Sequence, residues 1–103
     1  MWGWGNVLRF KFKKKKIEAL YFEEKNSHKY PNVMGDFFDL MSAIDAARDE
    51  RDLYALKGFH FEKLKGREGE RSLRLNRQWR LIVSLEKDSD GSYVLIIDIE
   101  DYH

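Results

Sequence analysis

Hydrophobic positions along this chain change period twice. Leu8, Phe10 and Phe12 alternate with Arg9, Lys11 and Lys13, the two-residue period of a half-buried strand. From Lys14 to Glu24 the apolar residues Ile17, Leu20 and Tyr21 stand at helical spacing, and residues 26–31, ending in Pro31, break the pattern. Val33, Phe37, Phe38, Met41 and Ile44 then mark one face of a longer helix over residues 32–48. A charged connection over 49–58 has room for a turn of helix. Beyond it the period returns to two. The pattern predicts a short strand over 59–65 ended by Gly66, a hairpin from 71–75 and 79–85, a turn at Asp88-Ser89-Asp90-Gly91, and a closing strand over 93–99. The run Val94-Leu95-Ile96-Ile97 is apolar on both faces, which places that strand inside the sheet. The order β-α-α-β-β-β-β predicts an α+β fold: two N-terminal helices packed on one face of a mostly antiparallel, twisted sheet.

The hairpin fixes its own register. Leu73, Leu75, Trp79 and Leu81 must share the core face, because a slip of one residue exposes all four. A three-residue loop, Asn76-Arg77-Gln78, satisfies this by pairing Leu75 with Trp79 and Leu73 with Leu81. The same register sets Arg74 opposite Arg80 on the other face, where like charges destabilise a sheet. Either each arginine pairs with a carboxylate such as Glu62, Asp98 or Glu100, or the two guanidiniums clamp a phosphate.

Composition narrows the chemistry. A chain of 103 residues is expected to be one domain, 1–103, with residues 1–6 as an N-terminal extension that is either packed or flexible. There is no Cys, so thiol nucleophiles and Cys-based zinc sites are excluded, and three His leave little for a metal cage; no metal or cofactor is expected. No apolar run approaches a membrane span, and Met1-Trp2-Gly3-Trp4 lacks the order of a signal peptide. A cytoplasmic protein without membrane partners is the expectation. The net charge is only +1, but segments 9–16 and 57–80 hold 14 of the 19 Lys and Arg and 3 of the 18 Asp and Glu. Such segregation either neutralises itself on folding or presents a cationic face to phosphates.

Cutting a phosphodiester without a metal needs a base for the attacking hydroxyl, cations for the developing charge and an acid for the leaving oxygen. Glu62, the group Lys65, Arg74 and Arg80, and His103 or Tyr102 can supply the three. Each also has an ordinary reading, Glu62 as a solvated strand residue and Asp101-Tyr102-His103 as a frayed end.

Lys65-Gly66, then Ser72-Leu73-Arg74-Leu75-Asn76-Arg77-Gln78-Trp79-Arg80, then a strand ending Asp101-Tyr102-His103, resembles the HigB branch of the RelE/ParE toxin superfamily. The likeness covers most of residues 7–103 and is specific over 61–103. It implies the toxin of a type II toxin–antitoxin pair, of the plasmid-maintenance kind. Such a toxin is a metal-independent endoribonuclease (mRNA interferase) that cuts mRNA in the ribosomal A site and inhibits translation. It further implies a helix-turn-helix, HigA-like antitoxin as partner.

Residue by residue, the resemblance implies catalytic roles for Lys65, Arg80, Tyr102 and His103. Glu62 falls where the related YoeB branch has its general base. Arg74, Arg67 and Arg77 are expected at the substrate phosphate. The turn Gly66-Arg67-Glu68-Gly69 is one residue shorter than the branch's usual form, which puts the placing of Arg67 in question. Two alternatives share the fold: a ParE-like gyrase inhibitor without RNA chemistry, and a non-toxic relative that only binds an antitoxin. Lys13, Lys14, Lys15 and Lys16 open the first helix against its dipole. They are either a solvated run or a contact to ribosomal RNA. His28 and His60 have no matched acid or base neighbour and are read as structural.

Overall fold

A computed structural model of the chain describes residues 8–56 and 58–102. Strand β1 (Arg9–Phe12) leads into helix α1 (Lys15–Glu23), a 3-10 turn at Ser27–Lys29, helix α2 (Met34–Ala46) and a short helix α3 (Glu50–Tyr54). Strands β2 (Glu62–Lys63), β3 (Glu70–Arg74), β4 (Trp79–Asp88) and β5 (Gly91–Asp101) follow. They form one five-stranded sheet in the order β1-β5-β4-β3-β2. Only β1 and β5 run parallel. The expected mixed α+β class and mostly antiparallel sheet are observed, and the all-apolar run of β5 lies between β1 and β4.

Local chemistry sets the element ends. Asn32 sits in the left-handed region, at φ 62°, directly after Pro31, so α2 starts at Met34 rather than at 32. In the charged connection, the Asp49 side chain accepts from the Arg51 backbone N–H and caps α3, so the turn of helix expected there is real. The strand expected over 59–65 shrinks to two residues: His60 is left-handed, at φ 49°, and breaks the extended run. Asn76 builds the β3–β4 loop by accepting from the Gln78 and Trp79 backbone N–H groups. Leu73 then faces Leu81 and Arg74 faces Arg80, the register that the leucines dictated.

One face of the sheet carries the core. Leu73, Leu81, Val83, Val94, Ile96 and Ile99 pack with Ile17 and Leu20 of α1 and Phe37, Leu40, Met41 and Ile44 of α2. The cationic start of α1 is held by Asp98 of β5, 2.6 Å from Lys14 and 3.5 Å from Lys16. Burial raises the pKa of Asp98, but the Lys14 hydrogen bond and the two lysine charges outweigh it and leave it lowered. At the far end of the sheet Asp88 ties β1 to the β4–β5 turn, binding Arg9 at 2.7 Å and Lys11 at 2.9 Å.

The opposite face is not simply solvated. Register places Arg74, Arg80 and Glu100 in one row across β3, β4 and β5, and Ser72, Ile82 and Asp98 in the next. Ile82 is fully buried and Ser72 nearly so, although no helix of the core cluster lies over that row.

Candidate active site

Arg67, from the turn between β2 and β3, reaches onto this face. Its guanidinium grips Glu100 of β5 through two parallel bonds of 2.7 and 2.8 Å and donates from Nε to Glu70 of β3 at 2.9 Å. It thereby links β3 to β5 across β4, since Glu70 stands opposite Ser84 and Glu100 opposite Arg80. The Glu100 bond raises the Arg67 pKa further and holds the Glu100 carboxyl below its ordinary value. Arg67 was expected at the substrate phosphate. Its donors are instead spent on two carboxylates, the displacement that the shortened turn made conceivable.

Beside this strap lies an open cleft of about 520 Å3, lined by His60, Glu62, Arg74, Arg77 and Tyr102. Four expected site residues therefore meet: Glu62 from β2, Arg74 from the end of β3, Arg77 from the loop and Tyr102 from beyond β5. Arg74 donates only a long bond, 3.3 Å, to the Asn76 carbonyl, and has no carboxylate partner among the described residues. Tyr102 is anchored by its backbone N–H on the Gln78 carbonyl at 2.7 Å, which brings the tail to the loop. Its exposed ring lies over the Arg80 guanidinium, 5.4 Å from the ring centroid.

Arg80 lies just behind the cleft. Its Nη2 is 3.6 Å from Glu100, too long for a hydrogen bond, and its buried Nε has no partner among the described residues. Both arginines of the facing pair thus keep unspent donors, one in the cleft and one beneath Tyr102. The sequence left open whether they pair with carboxylates or clamp a phosphate. The carboxylate beside Arg80, Glu100, is bound by Arg67.

Lys65 is exposed in the turn and does not line the cleft, and His103 lies outside the described residues. Of the basic run, Lys14 and Lys16 pair with Asp98, while Lys13 and Lys15 are exposed. His60 has no acid or base neighbour in sequence. It is exposed and lines the cleft with Glu62. Among the described residues no three His, Asp or Glu side chains gather as a metal-binding group, and no helix is long and apolar enough to cross a membrane.

The family model for HigB-like toxins, RelE-like toxins of the type II toxin–antitoxin system HigB, matches residues 10–103. The chain belongs to this family.

Solved structures agree on the fold. A YoeB–YefM complex from Staphylococcus aureus is 26% identical over 93% of this chain and 97% of that one, with a TM-score of 0.54. The YoeB dimer from the same organism is 25% identical over 94% and 98% of the two chains, with a TM-score of 0.57. A YoeB/ParE toxin from Agrobacterium tumefaciens, 13% identical over 93% and 100%, has a TM-score of 0.57 and shows the fold alone. No curated protein matches in sequence. This HigB-like chain is therefore a RelE-like type II toxin whose cleft offers a carboxylate, an imidazole, a phenol and unspent guanidinium donors.

Proposed function

We propose that this toxin is a metal-independent endoribonuclease that cuts mRNA in the ribosomal A site and so inhibits translation. The observation that carries the reading is the meeting of Glu62, Arg74, Arg77 and Tyr102 around one open cleft with Arg80 directly behind it. Glu62 takes the proton of a 2′-hydroxyl, and the 2′-oxygen attacks the adjacent phosphorus. The bond from phosphorus to the 5′-oxygen breaks, and His103 protonates the departing oxygen. The products are a 2′,3′-cyclic phosphate and a 5′-hydroxyl. Arg74 and Arg80 balance the charge that grows on the phosphoryl oxygens, and Tyr102 offers a face on which a base stacks. Lys65 approaches the same phosphate from the turn when RNA is bound, and exposed Lys13 and Lys15 meet ribosomal RNA.

The partner that restrains such a toxin is an antitoxin, here a HigA-like helix-turn-helix protein; the S. aureus relative is a complex with YefM. Purified toxin, ribosomes and a defined mRNA in EDTA test the activity. Cut message with 5′-hydroxyl ends is expected from the wild type and none from Arg80→Ala. Intact message from the wild type, with DNA damage after induction in cells, would instead favour a ParE-like gyrase inhibitor. Growth unaffected by overproduction would point to a relative that only binds antitoxin.

A further inference from the structure

The row Arg80–Glu100 poses a problem for any reading that uses Arg80 on a phosphate. Directly opposite residues on adjacent strands are natural partners, and a carboxylate facing a guanidinium normally closes onto it through two bonds. Closed in that way, Glu100 would cancel the Arg80 charge and occupy its donors. In this structure it stands off at 3.6 Å from Arg80, because both of its oxygens are taken by Arg67 at 2.7 and 2.8 Å. Glu70 fixes Arg67 from the other side at 2.9 Å.

We infer that Arg67 is a positioning residue: by gripping Glu100 it keeps that carboxylate beyond hydrogen-bond distance of Arg80 and leaves the Arg80 donors free for the substrate phosphate. The inference rests on the proposed RNA chemistry for its consequence, but not for its geometry. Arg67 does not touch substrate in this account. A carboxylate beside an anion site is tolerable only if a second cation satisfies it, and Arg67 is that cation.

Two measurements test this, one of them independent of activity. Arg67→Met keeps an unbranched stem while removing the donors. In a crystal structure of that variant, Glu100 is expected to turn and bind Arg80 at hydrogen-bond distance; a carboxylate that stays away overturns the inference even if the protein cuts nothing. On ribosomes, Arg67→Met should cleave about ten- to a hundredfold more slowly than the wild type, the span of one charge-assisted hydrogen bond. Arg67→Met combined with Glu100→Gln should recover most of that loss, because a neutral amide no longer neutralises Arg80.

A double variant as slow as Arg67→Met means that Arg67 itself holds phosphate and sinks the proposal, as does an Arg67→Met protein as fast as wild type. A wild type that does not cut RNA defeats the proposed function and leaves the crystallographic result to judge the grip. Should Arg67→Met fail to fold, Arg67→Lys replaces it in both measurements. It keeps one charge but cannot bridge both Glu100 oxygens and Glu70, and it should fall between the two.

Discussion

Replacing Arg74 with Gln should make this toxin more stable and less active at once. Arg74 stands directly opposite Arg80, and the Glu100 carboxylate 3.6 Å from Arg80 is shared with Arg67, so it offsets the repulsion only in part. Cross-strand pairs of this kind are worth about 0.2–1 kcal/mol, with like charges on the unfavourable side. Against that gain stands the Arg74 bond to the Asn76 carbonyl, which at 3.3 Å is long and only partly shielded from water, so its loss costs a few tenths of a kcal/mol at most. The net gain is about 0.5 kcal/mol. In a domain of this size that raises the melting temperature by roughly 2–4 °C.

Circular dichroism melts in 0.1 M and 1 M salt read the effect and its origin together. Screening shortens the Debye length from about 10 Å to about 3 Å, so the advantage of Arg74→Gln should shrink at high salt if repulsion is its cause. Cleavage by the same variant should fall about ten- to a hundredfold through the lost charged contact to phosphate. A variant that melts below wild type, or whose advantage ignores salt, refutes the idea that this pair is held in mutual repulsion for a ligand.

Further outcomes follow from other parts of the molecule. Glu62→Gln should slow cleavage by about 10²- to 10⁴-fold with little change in melting temperature; if His60→Gln carries that loss instead, His60 is the base. Phe37→Ala, which empties a fully buried aromatic site between helix and sheet, should cost about 3–5 kcal/mol and lower the melting temperature by at least about 12 °C. Acid should act through Glu100, whose carboxyl is held below its ordinary 4.5 chiefly by the Arg67 bond. The unfolded chain then binds the proton more readily than the folded one. This stabilisation is complete above pH 4.5 and lost as pH falls through the lower folded value. Glu100→Gln should therefore lose less stability between pH 7 and pH 3 than the wild type, and equal losses would remove Glu100 from the account.

The parts of this fold that were legible are those where burial leaves one choice. Leu73, Leu75, Trp79 and Leu81 allowed a single hairpin register, and with it came the facing arginines. Phe37 and Met41 announced the buried side of α2. Residues 59–65 show where that logic stops. Phe59 and Phe61 alternate correctly because both lean on the core, yet alternation reports which side a residue faces and not whether its backbone pairs. The left-handed His60 ends the ladder without altering the pattern. The Arg67–Glu100 grip was beyond reach for a different reason. Its partners are 33 residues apart and on opposite sides of β4, so neither local charge pattern nor cross-strand pairing suggests it.

The parallel pairing of β1 with β5 has a kinetic meaning. β1 opens the described fold, and its only partner strand is made after all the others. While the chain grows from a ribosome, α1 and α2 therefore wait without one inner strand of the floor they pack on. Contacts of such long sequence separation are slow to form, since the intervening loop must be closed before they return anything. The cleft waits as well, because Tyr102 and the Glu100 that Arg67 grips belong to that same late segment. On the proposed chemistry, a nascent copy lacks the segment that completes its site, and the interval between synthesis and docking of β5 is the window in which an antitoxin meets a toxin still incomplete.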